Sequence, residues 1–158
     1  MLVKDIIATD FVNYKEPSMY VAFPYCSFKC DRENGCQPCQ NSSLAKQPSI
    51  EISADRIVEM YEKNQPLCKA LVLCGLEPLD SFGDVVDLIA EFRSKFNDPV
   101  IVYTGYTEQE AAAYVGRLKE FANIIVKFGR FRPNQPHHVD ELLGVELANP
   151  EQHAKKIS

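Results

Sequence analysis

The chain has 158 residues, of which 46% are hydrophobic, and this is enough for one domain with a buried core. Its formal charge of −5 argues against nucleic acid as the main partner, because phosphate binding needs a basic surface. No apolar stretch approaches the roughly 18 residues of a membrane span, and the N-terminal MLVKDIIATD lacks the features of a signal peptide. We therefore expect a cytoplasmic protein with a single domain over residues 1–158 and no membrane partner.

The first half of the chain predicts a strand, a loop and a helix. The apolar run MYVAFPY predicts a strand over residues 19–25. The residues that follow are mostly polar and include glycine and proline, so residues 26–49 are expected to form one long loop. Ser53 is a candidate cap for a helix over ADRIVEMYEK, where Ile57, Met60 and Tyr61 share one face.

The second half repeats this alternation. KALVLCGLEP is a nearly continuous apolar run, typical of a strand buried on both faces. Asp80 or Ser81 begins a helix with an apolar face, and PVIVYTG predicts a third strand. Thr107 and Glu110 form a capping box for a helix that runs to about Phe121, before a fourth strand in NIIVKFG. The polar tail 132–158 is expected to be irregular.

Alternating strands and helices predict an α/β fold with a mostly parallel sheet and helical crossovers. In such sheets ligands bind at the carboxyl ends of the strands. Three features follow strand ends in this chain: a cysteine cluster after the first strand, GLEP after the second and TGY after the third. We therefore expect them to form one site.

The cysteines are the most unusual feature of the composition. Four of the six lie in the predicted loop, at Cys26, Cys30, Cys36 and Cys39. In a chain without a secretory signal, such a cluster indicates metal binding or redox chemistry rather than disulfides. Three interpretations stay open: an iron–sulfur cluster, a zinc site that uses all four thiolates, and a redox dithiol at Cys36-Gln-Pro-Cys39.

Several motifs resemble those of the radical SAM activating proteins of anaerobic (class III) ribonucleoside-triphosphate reductase. They occur in family order along the chain: Asp10-Phe-Val-Asn13, Cys26-x₃-Cys30, Cys39-Gln-Asn-Ser, Gly75-Leu-Glu77-Pro-Leu, Val102-Tyr-Thr-Gly-Tyr106, Phe128-Gly-Arg-Phe131 and Leu147-Ala-Asn-Pro-Glu-Gln152. The resemblance implies a partial (β/α) barrel of the small radical SAM type, and therefore an oxidoreductase.

The resemblance also implies cofactors and a site. Cys26, Cys30 and Cys39 would hold a [4Fe-4S] cluster, and its fourth iron would chelate the amine and carboxylate of S-adenosylmethionine (SAM). The residues around SAM would be Pro38, Gln40, Gly75, Leu76, Glu77 and Thr104. Reductive cleavage of SAM would give a 5′-deoxyadenosyl radical, which would generate a glycyl radical on the large subunit of the reductase. Flavodoxin or ferredoxin would be the electron donor.

The chain departs from the family pattern at three points. The family spaces its cysteines C-x₃-C-x₂-C, whereas eight residues separate Cys30 from Cys39, which leaves Cys36 as an alternative third ligand. Leu76 replaces the second glycine of the SAM motif, and Phe128 replaces an aspartate. These departures indicate a divergent subgroup.

Two other functions stay open: another small radical SAM enzyme, and a non-catalytic zinc or iron–sulfur module for protein contacts.

Overall fold

The computed structural model describes residues 1–35 and 39–158. Its helices are α1 (Lys29–Asn34), α2 (Ser42–Ala45), α3 (Ala54–Asn64), α4 (Phe82–Arg93) and α5 (Ala112–Leu118), with a 3₁₀ turn at Pro78–Ser81. Its strands are β1 (Leu2–Val3), β2 (Asp5–Asp10), β3 (Ser18–Phe23), β4 (Ile50–Glu51), β5 (Ala70–Gly75), β6 (Val100–Tyr103), β7 (Ile124–Phe128), β8 (His138–Asp140), β9 (Val145–Leu147) and β10 (His153–Lys156). Among the described residues no helix is long and apolar enough to cross a membrane.

Six strands form the main sheet, in the order β10-β7-β6-β5-β3-β2. The four inner strands are parallel, with Leu73 of β5 opposite Val21 of β3 and Val102 of β6. The two outer strands, β2 and β10, run antiparallel to their neighbours. The fold is therefore mixed α/β with a mostly parallel sheet, and the closure of this sheet into a partial (β/α) barrel stays a prediction.

Apolar side chains cover both faces of the sheet. On one face α3 and α4 pack through the predicted apolar stripes, and the Tyr61 and Phe92 rings meet edge to face at 4.7 Å. On the other face Tyr14, Leu143 and Leu147 pack on the strands. Burial on both sides explains why β5 is apolar almost throughout, as the sequence predicted.

The prediction of one long loop over residues 26–49 is wrong, because this range contains α1 and α2. The sequence KCDREN of α1 has no buried residue, and so it lacks the apolar periodicity that identifies a helix. Ser53 lies at the N-cap of α3 as predicted, although its side chain makes no capping bond to the helix.

The prediction of an irregular tail over residues 132–158 is also wrong. The β8 and β9 strands pair with each other, and β10 pairs with β7 at the edge of the main sheet. An edge strand has one unpaired edge that faces water and often carries polar residues. These residues weaken the sequence pattern by which a strand is recognised. The capping box is present, since the Thr107 backbone N–H donates to Glu110 Oε2 at 2.9 Å, but α5 begins later, at Ala112.

Candidate functional site

The carboxyl ends of the four parallel strands border a single cleft. The structure brings the predicted site residues together there. The lining residues include Cys26, Cys30, Cys39, Gln40, Gly75, Leu76, Glu77 and Thr104. The alternative ligand Cys36 and the proposed SAM neighbour Pro38 lie outside the described residues.

The backbone near Cys26 is turned toward its sulfur. Phe28 adopts a left-handed conformation with φ 51°, which is unusual for a residue other than glycine. In this conformation its backbone N–H donates to Cys26 Sγ at 3.2 Å. Strained residues of this kind cluster at functional sites, and backbone donors to sulfur tune iron–sulfur centres. Burial raises the pKa of the Cys26 thiol to about 12.

Cys30 and Cys39 are held by different elements that contact each other. Cys30 lies on α1, where burial raises the pKa of its thiol and the nearby Phe131 backbone N–H partly offsets that effect. The backbone N–H of Cys39 donates to Asp31 Oδ1, also on α1, at 3.2 Å. Asp31 therefore links α1, the helix that carries Cys30, to the backbone of Cys39.

Glu77 joins the turn after β5 to the turn after β6. Its carboxylate accepts hydrogen bonds from Thr104 Oγ1 at 2.7 Å, the Gly105 backbone N–H at 2.8 Å and the Leu79 backbone N–H at 3.1 Å. The side chain is buried, and this burial raises its pKa to about 7. A buried carboxylate with three donors fixes the geometry of both turns.

Gly75 is required by the close approach of β5 and β3. Its φ is +99°, and a Cβ at this position would lie 2.6 Å from the Phe23 backbone nitrogen. Its carbonyl accepts a hydrogen bond from Asn41 Nδ2 at 2.8 Å, and this bond connects the residues after Cys39 to the turn after β5. Leu76 follows with its backbone N–H bound to Phe23 O at 3.2 Å, and Gln40 lies exposed at the mouth of the cleft.

Two residues of the cleft were missed by the sequence interpretation. Lys127 of β7 is buried, donates to the Gly129 carbonyl at 3.1 Å, and has no ion-pair partner within the described residues. Burial lowers the pKa of its ammonium to about 8. Cys74 of β5 also lines the cleft. The one available signal was a lone lysine in the otherwise apolar NIIVKFG.

The residues present fit an iron–sulfur cluster. Three cysteines, Cys26, Cys30 and Cys39, line a single cleft. Cysteine thiolates are the usual ligands of iron–sulfur clusters. Gly105 also leaves open the space beside Cys30, since a Cβ there would lie 3.7 Å from Cys30 Sγ.

Comparison with known families agrees with this chemistry. A family model described as a 4Fe-4S single cluster domain matches residues 18–146. This range includes the cysteine segment (residues 26–49), the turn at Glu77 and the four parallel strands. No curated protein matches the chain.

Proposed function

The chain belongs to the 4Fe-4S single cluster domain family, and from this premise we propose that it is an activase that cleaves SAM reductively. The cluster, when bound, supplies the electron that splits the S–C5′ bond and leaves methionine and a 5′-deoxyadenosyl radical. The protein itself binds and orients the two cofactors and excludes competing reactions. Its target is a glycine of an anaerobic ribonucleotide reductase, and its electron donor is a flavodoxin or ferredoxin of the cytoplasm.

One observation carries the proposal: three separate motifs border the same cleft. Cys26, Cys30 and Cys39 come from the first crossover, Glu77 follows β5 and Thr104 follows β6. By itself the Glu77 motif resembles that of the radical SAM activating proteins only weakly, whereas the Val102–Tyr106 motif that contains Thr104 resembles theirs closely. Their hydrogen-bonded convergence supports a shared function, because Glu77 binds Thr104 directly and Asn41 binds Gly75 directly.

With Cys26, Cys30 and Cys39 as its ligands, the cluster would have one iron without a protein thiolate, and this iron would be open to a small-molecule ligand. In the proposal the segment Gly75–Glu77 receives the ammonium group of SAM. The Glu77 carboxylate suits a cation, since three donors occupy three of its roughly four lone-pair sites and leave one acceptor site. Thr104 and Gly105 would then border the adenosine end.

The activity is tested by reconstitution. The protein is loaded with iron and sulfide without oxygen, reduced with dithionite and mixed with SAM, and 5′-deoxyadenosine is measured. We expect one product molecule or more per cluster. A colourless, zinc-loaded protein that leaves SAM intact would contradict the proposal, and a stable cluster without cleavage would indicate a non-catalytic module.

Cysteine variants identify the ligands in the same assay. We expect Cys26→Ala, Cys30→Ala and Cys39→Ala to abolish cleavage and Cys36→Ala to retain it. Cys68→Ala is the matched control, because Cys68 is buried away from the cleft with its thiol bonded to Ala8 O at 3.0 Å. Loss of activity in Cys36→Ala but not in Cys39→Ala would reverse the assignment of the third ligand. Transfer of the radical is then tested by the glycyl radical signal of an added anaerobic reductase.

A further inference from the structure

The helix α1 carries Cys30, but apolar packing does not hold it in place. It has six residues, Lys29–Asn34, and none of them is buried. A helix this short is unstable by itself in water, since helices below about 12 residues are marginal even for favourable sequences. Its position must therefore come from polar contacts with the rest of the fold, and those contacts decide where Cys30 lies.

Arg130, two residues after β7, contacts α1 directly through Glu33. Its side chain is only 6% exposed. Nε donates to Glu33 Oε1 of α1 at 2.6 Å, and Nη1 donates to the Gly105 carbonyl after β6 at 2.6 Å. One guanidinium therefore joins the cysteine helix to the ends of two neighbouring strands.

Glu110 extends this network to the other end of α1. It forms a two-point ion pair with Arg130, Nη1 to Oε2 at 2.8 Å and Nη2 to Oε1 at 2.6 Å, and this pair lowers its pKa to about 2. Lys29, the first residue of α1, lies 3.5 Å from Glu110 Oε1. The last residue, Asn34, donates to the Phe131 carbonyl at 3.3 Å. The first residue of α1 is thus bound to Glu110, the ion-pair partner of Arg130, and the last residue is bound to Phe131, which follows Arg130.

We propose that Arg130 is a positioning residue for the cluster: it holds α1, and with it Cys30, in the ligating arrangement before iron and sulfide bind. An exposed ion pair such as the one to Glu33 contributes little stability by itself. The role of Arg130 is geometric, because its planar fork binds Glu33 of α1 and the connection between β6 and α5 at once, and a lysine ammonium has no such fork. The proposal rests on cluster binding by the family and not on SAM cleavage.

Cluster release is the first test. The reconstituted protein is mixed with an iron chelator under anaerobic conditions, and the loss of cluster absorbance is followed in wild type, Arg130→Ala and Arg130→Lys. Because loss of residues that support metal ligands typically costs 10–100-fold in affinity, we expect release to be about 10-fold faster or more in both variants. Arg132→Ala is the matched control, since Arg132 is 45% exposed and pairs with Glu151 instead of α1.

Amide hydrogen exchange on the metal-free chain of 158 residues is the second test. We expect residues 29–35 to exchange at least several-fold faster in Arg130→Ala, with β5 unchanged. If Arg130→Ala does not fold, Glu33→Gln decides, because Glu33 is half exposed and its loss breaks only the link to α1. If Arg130→Ala folds and both cluster release and amide exchange occur at wild-type rates, the proposal is wrong. If Arg130→Ala does not fold, wild-type rates of release and exchange in Glu33→Gln would overturn it. SAM takes no part in either measurement, so neither result depends on the proposed activity.

Discussion

The sheet and the cysteine segment are built in opposite ways. Five of the six residues of β5 are buried, whereas the described residues in the ranges 25–35 and 39–49 are exposed or only partly buried. The sheet is stabilised by apolar surface removed from water. The cysteine segment is held by single hydrogen bonds, such as Asp31 to the Cys39 backbone and Asn41 to Gly75. Stability of the fold and geometry of the site are therefore separable properties of this chain.

The largest effect is expected in the sheet and its helices. Phe92 is fully buried against Tyr61, so Phe92→Ala should lower the free energy of unfolding of the metal-free protein by about 3–5 kcal/mol. Ser43→Ala, in an exposed position of the cysteine segment, should change it by less than about 0.5 kcal/mol. Urea denaturation measures both values. Similar losses in the two variants would show that the segment contributes to the cooperative core.

Glu77 joins the turns after β5 and β6 at the border of the cleft, and its removal should have the next largest effect. Glu77→Ala leaves the Thr104, Gly105 and Leu79 donors without their acceptor. We expect a loss of about 2–3 kcal/mol in the same urea experiment, since orphaned buried polar groups cost about 1–3 kcal/mol. Glu16→Ala, at an exposed position, is the control. A loss below 0.5 kcal/mol would mean that the two turns keep their geometry without Glu77.

The smallest predicted effect is a pH dependence. The pKa of Lys127 falls from its ordinary value near 10.5 to about 8 in the folded protein. Between these values the unfolded chain holds a proton that the folded chain releases, so stability from this group rises with pH. From pH 7 to 9 we expect wild type to gain about 1 kcal/mol relative to Lys127→Met. Equal pH profiles of the two proteins would contradict the burial of the ammonium.

The parts of the fold that the sequence predicted depend on local patterns. The apolar run of β5 and the stripes of α3 and α4 repeat within a few residues, and parallel topology then places Glu77 and Thr104 at one edge. The missed parts depend on distant partners. Arg130 meets Glu33 across 97 residues of sequence, and nothing near either residue marks the other. The strands β2 and β10 were missed because edge strands carry polar residues.

The most direct test of the central claim is whether SAM binds at the cluster held by these cysteines. The reduced, reconstituted protein is examined by electron paramagnetic resonance before and after addition of SAM, at a temperature that prevents turnover. We expect a [4Fe-4S] signal whose g-values shift on addition of SAM. A signal that SAM leaves unchanged would contradict an open position on the cluster, and with it the proposed activity.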